Sequence, residues 1–139
     1  MIQRFQQSWQ SFRNLPLWVQ LWVGLVLIPV NAASFFLLAY VSAQLAAWAA
    51  AFVVASNVPI MLRERGMSKL MAVPHLFAWG PLLVLLVMRL LEHSSASPVA
   101  TIEQVYAIVL VAVNGISLVF DVIDSWRWLS ADRAISHAL

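Results

Sequence analysis

The stretch LWVQLWVGLVLIPVNAASFFLLAYVSAQLAAWAAAFVVASNVPIML, Leu17 to Leu62, carries no charged side chain. A helix needs about 20 apolar residues to cross the hydrocarbon of a bilayer. The run is roughly twice that length, so it reads as two spans joined by a tight, uncharged turn at Tyr40–Gln44. Two more apolar runs follow, Pro74–Leu91 and Val105–Ile123. The fold class expected is an all-α integral membrane protein: a four-transmembrane-helix, up-down-up-down bundle.

Composition agrees with that reading. Of 139 residues, 63% are hydrophobic and 10% charged, whereas soluble domains average about 25% charged. One membrane domain, residues 1–139, accounts for the chain, and no sizeable water-soluble domain fits beside the spans. The net charge of +2 does not point to nucleic acid, because the basic residues sit at the ends of the apolar runs. With no cysteine, disulfides, thiolate metal sites and cysteine nucleophiles are excluded. The first apolar run is far longer than the core of a secretory signal, about 7–15 residues, and is read as a retained span.

Residues 2–14 have a different character. Ile2, Phe5, Trp9 and Phe12 recur at steps of three and four and so share one helical face, with Arg4, Arg13 and several glutamines elsewhere. This predicts an amphipathic helix lying in the headgroup plane. The spans are expected at about 17–38, 42–61, 74–91 and 102–126. Pro29 lacks an N–H and should kink the first, and Gly80-Pro81 should bend the third. Gly66, after Arg63-Glu64-Arg65, suits a left-handed helix terminus. The EHSSASP stretch, 92–98, reads as a polar loop, and Leu129–Leu139 as surface helix or disorder.

Orientation follows from charge. With both termini inside, the inner side holds Arg4, Arg13, Arg63, Arg65, Lys69, Arg127 and Arg133, and the outer side only Arg89. That bias predicts cytoplasmic N and C termini, as for a multi-pass protein of a bacterial inner (plasma) membrane. Trp18, Trp22, Trp126 and Trp128 fall near the inner boundary, where an aromatic belt anchors a bundle.

The polar residues within the spans are the candidate sites. Glu103, Asn114, Ser117, Asp121, Asp124 and Trp128 lie on one stripe of the last span at about 100° per residue. A carboxylate in hydrocarbon costs on the order of 3 kcal/mol even on lenient scales, so the stripe must face protein or water. His75 opens the third span at the depth of Asp121, and Asn57 and Arg63 close the second there. Three readings fit, in order of preference: a structural network, for example Asp121 with Arg63 or Arg127; a proton or cation site titrating through Asp121 and His75; and a metal site of Asp121, Asp124 and His75. Asn31 lies near mid-membrane and can reach Asn114 across the bundle. Arg89 can snorkel outward or pair with Glu92 or Glu103.

Ala43, Ala47, Ala51 and Ala55, at steps of four on the second span, make a small-residue face that lets another backbone approach. It serves either packing within the chain or association with another. Phosphate loops and HExxH, CxxC or GxSxG motifs are absent, as is the Glu-x-x-His signature of di-metal bundles, and His75 is the only histidine near a span, so no haem or other cofactor is expected. Asn57–Arg63 and Asp121–Trp128 have a motif-like density of polar residues to which no activity attaches. The first expectation for function is therefore a non-enzymatic accessory subunit or oligomeric scaffold, whose partners are the lipid bilayer and a second copy or another membrane subunit. The second is a small oligomeric transporter or channel for protons or small cations at the inner Asp/His cluster.

Overall fold

A computed structural model describes residues 2–66, 68–93 and 100–136, with the side chains of Ile2, Phe5, His93 and 131–136 outside the description. The described residues are all-helical. In chain order the helices are α1 (Ile2–Arg13), α2 (Leu17–Phe36), α3 (Val41–Glu64), α4 (Ala72–His93) and α5 (Thr101–Ser136). Four segments, Leu17–Phe36, Val41–Glu64, Lys69–Glu92 and Thr101–Ser130, are long and apolar enough to cross a membrane. The predicted loop 92–98 falls almost wholly outside the described residues, as does His137.

The core lies among α3, α4 and α5, built on Ala43, Ala46, Val53, Trp79, Leu82, Leu86, Tyr106, Ala107 and Leu110. The alanines of α3 bring its backbone close, and the leucines of α4 and α5 fill between. Helix α2 leans on α3 and α5 and adds only partly buried residues, among them Leu27, Val30 and Leu37. Burial is inverted relative to a water-soluble bundle. Asn31, Ser34, Ser42, Asn57, Glu103, Asn114 and Ser117 are buried, while Phe36, Trp48, Phe77 and Trp126 stand 71–89% exposed. In water such a surface would drive association, whereas hydrocarbon solvates it without cost.

Helix α2 is not a regular helix with one kink. Trp22–Leu27 is wound as a π-helix, Ile28–Ala32 returns to α, and Ala33–Phe36 tightens to 3-10. Pro29 explains the sequence of forms: it cannot donate, and in a continuous α-helix its ring would meet the carbonyl of Leu25. The wider turn just ahead of it relieves that clash. The Val30 carbonyl is taken up by the Tyr106 hydroxyl, at 2.9 Å.

Several boundaries move. The first connection is Leu37–Tyr40, not Tyr40–Gln44, because α3 already starts at Val41. Gln44 donates through Nε2 to the Leu38 carbonyl across this turn. The third apolar helix begins at Ala72, two residues earlier than Pro74, and α5 runs on through most of the predicted tail to Ser136.

The left-handed residue ending α3 is Arg65 (φ 58°, ψ 28°), not Gly66. The Gly66 N–H reaches back to the Met61 carbonyl at 3.2 Å, which closes a Schellman-type end with Arg65 at the left-handed position. Gly66 is needed for another reason. It is buried, α1 packs on this end of α3, and a Cβ here would come within 3.0 Å of Ser11 Oγ.

Candidate functional site

Helix α5 carries its polar stripe inward. Glu103, Asn114 and Ser117 are buried and Asp121 and Asp124 half-buried, with Trp128 at the exposed margin. From residue 103 to residue 121 the rise is about 27 Å, close to the thickness of a bilayer core of about 30 Å. The two ends of this stripe are built on different terms.

At the Glu103 end the buried charge is matched. Glu103 Oε1 accepts from the backbone N–H of Ser42 at 3.1 Å, from Ser42 Oγ at 2.9 Å and from Arg89 Nε at 2.9 Å. The Ser42 N–H is one of the orphan donors of the first turn of α3, where Tyr40 provides no side-chain cap. Glu103 thus caps α3 from across the bundle, and Arg89 neutralises it. This is the Arg89–Glu103 pairing rather than the Arg89–Glu92 alternative.

In the middle, Asn31 and Asn114 bond each other, Asn31 also donates to the Leu27 carbonyl at 2.9 Å, and Ser117 Oγ accepts from the Trp22 indole N–H at 3.1 Å. Ser34 donates to the Asn31 carbonyl. These polar groups are saturated and tie α2 to α5.

The Asp121 end is different. His75 Nδ1 lies 3.2 Å from Asp121 Oδ2 and 3.3 Å from Oδ1, and its Nε2 lies 2.9 Å from Asn57 Nδ2. Asn57 Nδ2 can only donate and an ionised carboxylate can only accept. One neutral tautomer satisfies both: a proton on Nδ1 given to Asp121, with Nε2 accepting from Asn57. The result is an Asn57–His75–Asp121 chain across α3, α4 and α5. The Trp79 indole stacks on the imidazole, ring centroids 4.3 Å apart and planes within 11°.

This chain is incompletely satisfied. Among the described residues, the buried side-chain nitrogens and oxygens without a hydrogen-bond partner are Asn57 Oδ1, Trp79 Nε1, Asp121 Oδ2 and Ser125 Oγ. All four belong to the chain or adjoin it: Trp79 stacks on His75, and Ser125 follows Asp121 by one helical turn. Leaving such a group bare costs about 1–3 kcal/mol; Asp121 Oδ2 still lies 3.2 Å from His75 Nδ1, so three orphans, Asn57 Oδ1, Trp79 Nε1 and Ser125 Oγ, need an explanation.

The other candidates take separate positions. Arg63 and Arg127 are exposed, and neither closes on Asp121. Asp124 lies one turn beyond and does not join the chain. No group of three His, Asp or Glu residues able to hold a metal ion forms among the described residues, so the Asp121–Asp124–His75 metal reading is not carried by the geometry. The alanine face divides. Ala43 and Ala47 are buried, while Ala51 and Ala55 are exposed, because steps of four advance about 40° each round a 3.6-residue helix.

Sequence reasoning missed Trp79 and Ser125 as members of the inner site and Ser42 as the ligand of Glu103. For the first two a signal existed: His75/Trp79 and Asp121/Ser125 are each i, i+4 pairs, which share a helix face. The chain matches no family model, no curated protein and no solved structure.

Proposed function

We propose that this chain is a non-enzymatic, multi-pass membrane protein of four spans, termini on the cytoplasmic side of a bacterial inner membrane, that carries protons or small cations through its inner His75–Asp121 pair. The inverted burial and the seven-to-one division of Lys and Arg support insertion in that orientation. One observation carries the transport reading: the Asp121 carboxylate meets a histidine and no arginine, with three buried polar atoms nearby, on Asn57, Trp79 and Ser125, that have no hydrogen-bond partner. Glu103 beside Arg89 shows how the same bundle treats a purely structural charge, by saturating it. An ionisable pair held without that saturation is the usual mark of an ion or proton path in a membrane, and an imidazole can both donate and accept a proton.

The test is flux into proteoliposomes under an imposed ion or pH gradient. Asp121→Asn and His75→Gln are expected to abolish a flux present in the wild type. A wild type that leaks no faster than empty vesicles would sink the reading.

The second reading, an accessory subunit or oligomeric scaffold, draws on Ala51 and Ala55, which expose small side chains beside Phe52 on the outer face of α3. Crosslinking in native membranes tests it, and a solitary monomer would remove it. The two readings are compatible, since a small bundle that carries ions commonly works as an oligomer.

A further inference from the structure

A groove runs between α2 and α5. Trp18, Leu21, Trp22 and Leu25 of α2 face Ile116 and Phe120 of α5 across it. Its walls are almost wholly apolar and its volume is about 540 Å³, within the range of about 300–1,000 Å³ typical of small-molecule sites. Trp22 and Leu25 belong to the π turn, so the groove coincides with the stretch of α2 that departs from regular winding. Its two indoles are held in place. Trp22 donates to Ser117 Oγ, and the Trp18 ring is tilted on Phe120, centroids 5.7 Å apart. Leu21, Leu25, Ile116 and Phe120 are exposed, so the groove opens to the surroundings of the bundle.

The Trp18 end of the groove is flanked by cations. Arg127 lies two turns beyond Phe120 and within about 20° of Ile116 around α5, so it continues the α5 wall. Asp124 falls about 80° from Ile116, on the inward stripe. On the other wall, Gln20 Nε2 donates to the Arg13 carbonyl at 3.0 Å, which folds the Arg13 backbone against the first turn of α2, to which Trp18 belongs. Arg13 and Arg127 are exposed, and neither forms an ion pair among the described residues.

A second copy of this chain does not suit that end. Packed with like ends together, it would bring its own Arg13 and Arg127 against these, at an end where basic residues outnumber acidic ones. An anionic phospholipid does suit it. Lipid tails are as apolar as leucine, so an acyl chain gains little by leaving the bilayer for the groove, and selection rests with the headgroup. Basic pockets between spans are a recurring seat for anionic headgroups. We infer that the α2–α5 groove binds an anionic phospholipid, with an acyl chain along Trp18, Leu25 and Ile116 and the phosphate held by Arg13 and Arg127. The inference uses the membrane insertion of the proposed function and none of its ion transport.

The experiment uses the full chain, delipidated in mild detergent and given equal amounts of phosphatidylglycerol and phosphatidylcholine with identical acyl chains. Native mass spectrometry is expected to find one phosphatidylglycerol retained per chain, preferred on the order of tenfold or more. The preference should fall roughly fivefold in each of Arg13→Gln and Arg127→Gln. It should hold in Arg4→Gln/Arg63→Gln, which removes two positive charges from α1 and α3 instead. Equal retention of the two lipids by the wild type would overturn the site. So would an equal fall in Arg4→Gln/Arg63→Gln, since the basic end as a whole would then be acting. The position of the acyl chain is read with phosphatidylglycerol brominated along its chains, at a few molecules per protein. The quenched share of tryptophan fluorescence is expected to drop in Trp18→Phe and to hold in Trp48→Phe, which alters an exposed indole on α3. Quenching that survives Trp18→Phe would place the lipid elsewhere and overturn the groove as its seat. A dimer that excludes the lipid would assign the groove to a second copy and overturn the choice of ligand.

Discussion

Asn31 and Asn114 hold each other by two hydrogen bonds, Asn31 Nδ2 to Asn114 Oδ1 at 2.8 Å and Asn114 Nδ2 to Asn31 Oδ1 at 3.1 Å. Each amide uses its donor and its acceptor on the other, and Asn31 has a donor left for the Leu27 carbonyl. The pair sits where α2 is loosened by its π turn and Pro29, and it ties that helix to α5 alongside the Trp18–Phe120 ring contact, centroids 5.7 Å apart.

Replacing one member strands the other. Asn114→Leu is expected to destabilise the bundle by about 1–2 kcal/mol, and the Asn31→Leu/Asn114→Leu double variant by less than the sum of the singles. Membrane contacts of this kind average about 0.6 kcal/mol and reach about 1.7. A double-mutant cycle on reversible unfolding in bicelles measures the coupling, and strict additivity would show that the amides do not support each other.

Glu103 does two jobs, and its variants separate them. Glu103→Ala leaves the Ser42 N–H, the Ser42 hydroxyl and Arg89 unmatched and is expected to cost about 2–3 kcal/mol. Arg89→Gln should cost less, because the 34% exposed Arg89 side chain already borders its surroundings and Ser42 continues to satisfy the carboxylate. Equal losses in the two variants, by the same unfolding measurement, would mean that the cap on α3 contributes nothing.

The end of α3 offers a stabilising change. A non-glycine residue in the left-handed region costs roughly 1–2 kcal/mol, so Arg65→Gly is expected to raise stability by up to about 1 kcal/mol. Gly66→Ala does the reverse by a different route: its Cβ meets Ser11 and pushes α1 off its seat. Limited proteolysis within residues 2–13 should therefore speed up in Gly66→Ala and slow or stay unchanged in Arg65→Gly. Unchanged proteolysis in Gly66→Ala would mean that α1 is not seated there.

The alanines of α3 divide in the same way. Ala47→Leu overpacks a buried position and is expected to cost about 1–3 kcal/mol. Ala51→Leu and Ala55→Leu project outward, should leave monomer stability within about 0.5 kcal/mol, and should disperse any oligomer built on that face. Sedimentation in density-matched detergent reads the last effect.

The helices themselves were readable from the chain because length and apolarity are local properties. The uncharged run Leu17–Leu62 is divided into two helices, Leu17–Phe36 and Val41–Glu64, each long and apolar enough to cross a membrane. Element ends were less readable. The α3 start agreed within one residue of the expected Ser42, while the connection before it moved to Leu37–Tyr40 because Glu103, far along the chain, caps the first turn of α3. The α3 end was misassigned because glycine is welcome both where φ is positive and where a neighbour presses close, and a sequence does not say which applies. The π turn of α2 was visible only as Pro29. At the candidate site, His75, Asp121 and Asn57 could be placed at one depth by counting residues, but whether Asp121 meets Arg63, Arg127 or His75 depends on helix rotation, which residue spacing does not contain.

What the sequence determined by itself was the helices' length and apolarity and the inward face: uncharged runs long enough to cross a membrane, and a polar stripe on α5 too costly to expose to hydrocarbon. Only the tertiary structure decided the pairings. It gave Arg89 to Glu103 and left Asp121 with His75, because partners on different helices are chosen by crossing geometry and depth, and single-chain periodicity carries neither.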